Sequence, residues 1–354
     1  MPMKSVVESL NVKRATISEL LKAMSKTAYQ GRTLGRAVEI IESMIRDESV
    51  TIMFGYAGSL STAGQWKIVK WFIERGYIDV LVSTGANISE DIVEAMGFNY
   101  YHLEDDQIGS ADGQLFERGY NRYYDIVGKE SDYLEMTELI CEFMTGLEED
   151  SNYSSRSLLG LFGNWLSERK IDCILSAAAR HSVPVFCPAI VDSPYGDAAL
   201  LAHSKGHKVS VDNVKDYIEF MRLAERIDDT GVILVGGGVP KDFIQLFAAT
   251  ADLLYEGYEV PGKEGKGLKR EGTDESYYPH KYAVQITMDS PQWGGLSGAT
   301  LEEAISWGKE SADARIIVCY CDATIALPLI AHSLDERLEG YDRRRRSAGV
   351  PTKD

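Results

Sequence analysis

Three short runs of small residues stand where a backbone could come close to a phosphate. Gly55-Tyr56-Ala57-Gly58 follows the buried-strand run Val50–Phe54, Thr84-Gly85-Ala86-Asn87 follows Asp79–Ser83, and Gly236-Gly237-Gly238 follows Val232–Val235. In an open parallel sheet such turns gather at the carboxyl edge, where ligands bind. Small residues there let backbone N–H groups and helix N-termini approach a pyrophosphate. None of the three fits G-x-G-x-x-G, so a nucleotide site and plain tight turns account for them equally well. Other reactive side chains are isolated. His203 and His207 have helical i,i+4 spacing but no third ligand, which describes a surface pair better than a metal site, and no metal is expected. Lys309 closes a short helical pattern and, taken alone, suits the C-terminal end of a helix dipole as a solvated charge.

The elements that must position these turns alternate between β-branched runs and helical patterns. Trp66, Val69, Phe72 and Ile73 predict an amphipathic helix that Gly76 ends, and Ser89 is placed to cap a helix with Ile92, Val93 and Met96 inward. Two strand–turn–helix units in succession signal a parallel sheet. Helices are predicted over Leu134–Met144, Ser155–Trp165 and Asn213–Ile227, with Pro240 a first helical residue after the glycine triplet. Val183–Pro188 predicts an irregular strand because of its prolines, Tyr282–Met288 and Ile316–Tyr320 predict the last strands, and helices over Leu301–Ser306 and Ala326–Leu338 complete the pattern. Tyr258–Lys281 is a long polar loop, functional or mobile. The expected fold is α/β: a doubly wound, mostly parallel, Rossmann-like sheet flanked by helices, with helical additions. Residues 1–40 are expected as a helical segment, 41–340 as one domain, and 341–354, with Arg343-Arg344-Arg345-Arg346, as a disordered basic tail.

Composition narrows the partners. Fifty-four acidic residues against 37 basic ones give a net charge of −17, which repels phosphate backbones and argues against nucleic acid. Cationic small molecules would be drawn to such a surface, although the charge equally serves solubility. Five scattered cysteines, an odd number without zinc-site spacing, fit reduced thiols. The opening MPMKSVVESLNVK lacks an apolar signal core, and Ile316–Ala331, the longest apolar stretch, is interrupted by Asp322 and Pro328. A cytoplasmic chain with no membrane partner is expected.

A specific resemblance emerges near the C-terminus. Ser297-Gly298-Ala299, then Glu303-Ala304-Ile305-Ser306-Trp307-Gly308-Lys309, then Tyr320-Cys321-Asp322-Ala323 resemble the active-site segment of the deoxyhypusine synthase family. The likeness extends upstream. Phe54–Ser61, Asp79–Thr84 and Glu90-Asp91 resemble the family's first two nucleotide-binding turns, and Arg118-Gly119-Tyr120-Asn121-Arg122 its RGxNR element. Val183–Asp197 resembles its central motif and Gly236–Val239 its glycine triplet.

That resemblance implies an NAD-dependent reaction. An amine of spermidine is oxidised to an imine, an active-site lysine captures the aminobutyl group with loss of diaminopropane, and the enzyme imine passes to an acceptor amine before the hydride retained on the cofactor reduces the product. The acceptor is a translation-factor lysine in deoxyhypusine synthase and putrescine in the related homospermidine synthases. Residue matching makes Lys309 the covalent lysine. Such a lysine must spend part of its time as the neutral amine, which burial or a neighbouring cation favours. Trp307 would offer a π face to a polyamine ammonium, and Asp197 and Glu303 would pair with substrate ammonium groups. Ser59, Ser61, Thr84, Glu90, Asp192, Gly237, Gly238, Ser297, Asp322 and Ala323 match positions around the cofactor. A homotetramer with active sites at a dimer interface is implied as well.

Two positions depart from the family pattern. The family carries a histidine, associated with proton transfer, where this chain has Asp242, and an acidic residue where this chain has Leu296. An aspartate retains base function with a shorter reach. Losing a carboxylate at Leu296 weakens the hold on one ammonium, unless Glu302 or Asp289 compensates. Together the changes point to an altered donor or acceptor, with a small amine preferred over a protein lysine as acceptor. True deoxyhypusine synthase activity and a non-catalytic NAD-binding homologue are the alternatives.

Overall fold

The computed structural model describes residues 6–104, 112–148 and 151–343. Their contacts gather into two compact units, where the sequence predicts one domain. The first takes the chain up to Ala57, then Phe72–Val82, then everything from Tyr217; the second takes Gly58–Trp71 and Ser83–Asp216. No linker marks the division, because the chain passes between units at the turn after the strand Val50–Tyr56, at the end of the strand Val80–Ser83 and inside the helices Trp66–Glu74 and Asn213–Met221.

In the first unit five strands lie side by side: β1 (Val50–Tyr56), β2 (Val80–Ser83), β3 (Asp229–Val235), β4 (His280–Thr287) and β5 (Glu310–Tyr320), in the order β5-β4-β3-β1-β2. β1, β3, β4 and β5 run parallel. Every residue of β1 is buried, as in parallel strands covered on both faces, which explains its unbroken apolar run. The helices used below are α1 (Ile17–Met24), α2 (Tyr29–Arg46), α3 (Gly238–Thr250), α4 (Leu301–Ile305) and α5 (Ala323–Arg337). Thr16 and Glu19 form a reciprocal capping box at α1, and α2 buries Ile41, Met44 and Ile45. The expected α/β architecture with a mostly parallel sheet is the one observed.

Three features differ from expectation in detail. β5 begins at Glu310, before the expected Ile316; after the buried Glu310 its next residues, 311–315, are small or polar and mostly exposed on a strand with a neighbour on one side only, so no apolar run marks them. The segment 258–281 is organised rather than bare loop. Leu268–Lys269 pairs antiparallel with Ser276–Tyr277, Asp252 accepts from the Ser276 N–H at 2.7 Å, and Lys263 is buried against the Tyr278 ring. Arg343, the first of the four arginines, is buried and makes a two-pronged pair with Asp79 at 2.8 and 3.0 Å while donating to the carbonyls of Gly76 and Val50. The expected tail from 344 on lies outside the described residues.

The second unit is mainly helical, with Glu130–Thr145, Ser155–Glu168, Ile174–Arg180 and Pro194–Ser204 around Phe143, Phe162 and Tyr195. Tyr101–His102, Ile126–Lys129 and Tyr120–Tyr123 form a small antiparallel sheet. Asp91 is fully buried here. One carboxylate oxygen accepts from the Ile174 N–H at 2.7 Å at the start of a helix, and the other has no partner. Burial pushes its pKa from 3.8 up to about 7, although the backbone bond pulls the other way. A raised native pKa means that proton uptake stabilises the fold fully below the unfolded value and that this stability is lost as pH climbs through about 7. Asp91→Asn keeps the acceptor and removes the charge. It is expected to raise Tm at pH 8 and change it little at pH 4, as thermal unfolding at both values would show.

Candidate active site

The turn from α4 into β5 sets up the lysine that the motif singles out. Thr300 caps α4, its hydroxyl accepting from the Glu303 N–H at 3.0 Å. Gly308 then takes φ +74°, and the Tyr277 ring occupies the space that any Cβ would need, so both backbone and packing demand glycine. Lys309 is thereby turned inward: its N–H donates to the Ala304 carbonyl at 3.1 Å and its carbonyl accepts from the His280 N–H at 2.9 Å. It is 7% exposed, unlike the solvated helix-end lysine that the bare sequence suggests. Its Nζ donates to Asp242 Oδ1 at 3.1 Å and lies 4.9 Å from the centre of the Trp307 ring. Asp242, one turn into α3, is half-buried and Trp307 is exposed, so the pair is reachable from solvent.

Around that pair is a buried polar cluster that the motif reading missed. Glu310 accepts from the Gln245 amide at 2.6 Å, its other oxygen has no partner, and burial pushes its pKa up to about 7. His280 shares a 2.7 Å bond with the Thr230 hydroxyl, and burial pushes its pKa down to about 3, leaving a neutral imidazole. Lys241 is buried beside Gln285, and desolvation lowers its pKa to about 8. A lysine and a glutamine on the inner side of a helix that also buries Phe243, Ile244 and Phe247 were the available signal, but periodicity assigns such positions to the core without saying what they bond.

At the carboxyl end of β3 the glycine triplet meets the Ser-Gly-Ala segment. Ser297 packs so closely on Gly237 that no Cβ fits there, and its hydroxyl accepts from the Gly238 N–H at 3.1 Å. Gly238 has φ +57° with open space beside it, and α3 begins without a side-chain cap. Asp322 caps α5 through the Thr324 N–H at 2.7 Å, so its carboxylate is engaged locally, with Ala323 the first helical residue. Glu303 is exposed on α4, and Leu296 is half-buried with its carbonyl accepting from Lys241. No hydrogen bond among the described residues joins Glu303, Asp322 or Ala323 to Lys309.

In the second unit Ser59 donates to Glu90 at 2.7 Å, and burial raises the Glu90 pKa to about 7 despite that bond. Asn87 holds the turns together: its carbonyl oxygen accepts from the N–H groups of Leu60 and Ser61 at 2.8 and 3.2 Å, and its amide donates to the Thr84 hydroxyl at 3.1 Å. Ser61 donates to the Asn87 carbonyl at 2.6 Å, and Thr84 to the Gly58 carbonyl at 3.1 Å. Ser59, Ser61, Thr84 and Glu90 therefore come together, whereas Asp192 and Asp197 are exposed and unconnected to that cluster; Asp197 accepts from Tyr133 at 3.3 Å. Asn87 was legible as a turn residue and not as the organiser of two turns.

Glycine turns at the carboxyl ends of parallel strands lie where open α/β sheets bind ligands, and the buried lysine–carboxylate pair adds an amine. The deoxyhypusine synthase model matches residues 19–334, and the chain belongs to the deoxyhypusine synthase family. It is 42% identical over 311 residues to a protein named probable deoxyhypusine synthase 2 from Archaeoglobus fulgidus, covering 88% of this chain and 95% of that one. To the protein of the same name from Methanosarcina mazei it is 39% identical over 339 residues, 94% of this chain and 91% of the relative. The crystal structure of a deoxyhypusine synthase candidate from Entamoeba histolytica shares the fold, with a TM-score of 0.59 and 17% identity over 95% of this chain and 97% of the other. Among the described residues no helix is long and apolar enough to cross a membrane.

Proposed function

We propose that the chain is an NAD-dependent aminoalkyl transferase that moves an aminobutyl or related group from spermidine, or a similar polyamine, through an imine on Lys309 to a small amine. The observation that carries this is the buried Lys309, paired with Asp242 at 3.1 Å and facing Trp307 at 4.9 Å. The carboxylate in contact with the ammonium is placed to take one proton as the amine attacks a substrate imine, which makes Asp242 the general base of that step. Trp307 then supplies a π face, and Glu303 an exposed carboxylate, for the substrate's remaining ammonium groups.

The residues at the carboxyl edge fit NAD. The N-terminus of α3 has open space beside Gly238 and no cap from its own N-cap residue, and the Ser297 hydroxyl that accepts from the Gly238 N–H stands beside it, a combination suited to a pyrophosphate. NAD, when bound, serves as the reversible oxidant of the amine carbon. Exposed Val239, Met288 and Ile325, each following the carboxyl end of a strand, favour a second copy covering this edge, as in a homotetramer with shared sites.

Leu296, which places no carboxylate before Ser297, favours a small-amine acceptor and an altered polyamine hold. The names of the relatives favour the second reading, transfer to a protein lysine. Incubation with NAD and spermidine together with putrescine, agmatine or a lysine-bearing translation factor, followed by product mass spectrometry, separates them. Product with a small amine and none with the protein supports the proposal; product only with the protein establishes the second reading.

A further inference from the structure

We propose that Lys241 is a positioning residue: with Gln285 it clasps the segment Leu296–Ala299 onto the turn Gly236–Gly238, fixing Ser297 against the open end of α3. Lys241 is 3% exposed, and its Nζ donates to Gln285 Oε1 at 3.0 Å and to the carbonyls of Leu296 and Ala299 at 3.2 and 2.5 Å. Three ammonium hydrogens thus meet three acceptors. Gln285, fully buried, donates through its amide to the carbonyls of Gly236 and Ser297 at 2.9 and 2.8 Å. The Gly238 N–H closes the ring of bonds on the Ser297 hydroxyl.

Beyond the clasp the segment is held by two local backbone bonds, Gly298 N–H to the Gly295 carbonyl and Ala299 N–H to the Leu296 carbonyl, and by Gly298 packing on Ser290. It carries one short 3-10 turn, Leu296–Gly298, and follows the exposed Gly294 and Gly295. The clasp uses a charge because a neutral amine has only two N–H donors for the three acceptors. The charged groups facing Lys241 are Glu310 on β5, Lys309 before it, Asp242 on α3 and Glu303 on α4, and burial outweighs them to bring its pKa to about 8. One clasping bond is therefore lost as pH rises past that value. The inference rests on the proposed function only in assigning this corner to the cofactor's phosphates.

Hydrogen-exchange mass spectrometry on the full chain without NAD reads the clasp directly, and calorimetry with NAD reads its consequence. In Lys241→Met the amides of residues 294–299 are expected to exchange ~10-fold faster or more, the loss of charge-assisted bonds at this site. The wild-type segment is expected to open further above pH 8 than intrinsic exchange accounts for, and the variant to show no such extra step. NAD affinity falls in parallel. Unchanged protection of 294–299 in the folded variant overturns the proposal, as does a wild-type segment indifferent to pH 7–9, a measurement that needs no variant. Faster exchange with undiminished NAD binding upholds the clasp and removes Ser297 from the cofactor site. Wild-type chain that shows the clasp but binds no NAD contradicts the proposed function alone.

Discussion

Lys309→Ala is expected to lower kcat/KM by ~10³-fold or more, about 4 kcal/mol of transition-state stabilisation, and to abolish any covalent adduct. Alanine offers no nucleophile, and no second lysine replaces it: Lys241 is held by three acceptors. Lys309→Arg keeps the positive charge beside Asp242 without the amine chemistry and is expected to be as inactive. NAD affinity should survive both changes. Lys309 Nζ bonds Asp242, one turn beyond the glycine turn, and makes no hydrogen bond with that turn or with Ser297 among the described residues. Separate measurements of NAD binding and of turnover check the split; loss of NAD binding equal to the loss of rate would make Lys309 a structural residue.

The second large effect belongs to Asp242. Asp242→Asn keeps side-chain size and one acceptor but cannot take a proton, so turnover is expected to drop by ~10²–10⁴-fold, the range for removing a positioned general base. The buried Lys309 also loses its 3.1 Å ion partner. If Asp242 only anchored the lysine, the asparagine variant would trap as much Lys309 imine as wild type at the same rate. If it accepts the proton, the trapping rate itself falls. Full turnover by Asp242→Asn with every amine tested would remove the proton-transfer role.

The parts of the site legible in the sequence were those fixed by local backbone needs. Gly237, Gly238 and Gly308 are demanded by close approach or positive φ, and each lies in a run whose pattern shows it. The strands read well because buried parallel strands are continuous apolar runs, as in β1. What was hidden depends on long-range meetings of side chains. Nothing local joins Lys241 to Gln285 and Ala299, or Gln245 to Glu310, 65 positions apart. The same holds for Arg343, which looks like part of a basic tail until Asp79 is brought to it. The two compact units leave no mark in the sequence because the chain crosses between them inside helices, at a strand end and at a turn of ordinary composition.

The central claim is covalent chemistry at Lys309, and borohydride trapping tests it most directly. The protein is incubated with NAD and one polyamine at a time, reduced, digested, and the peptide containing Lys309 is weighed. An aminobutyl mass on Lys309 with spermidine, dependent on NAD and absent from Lys309→Ala, is the predicted result. Chain that binds NAD yet carries no adduct with any polyamine would contradict the account and leave a cofactor-binding homologue without the transfer reaction.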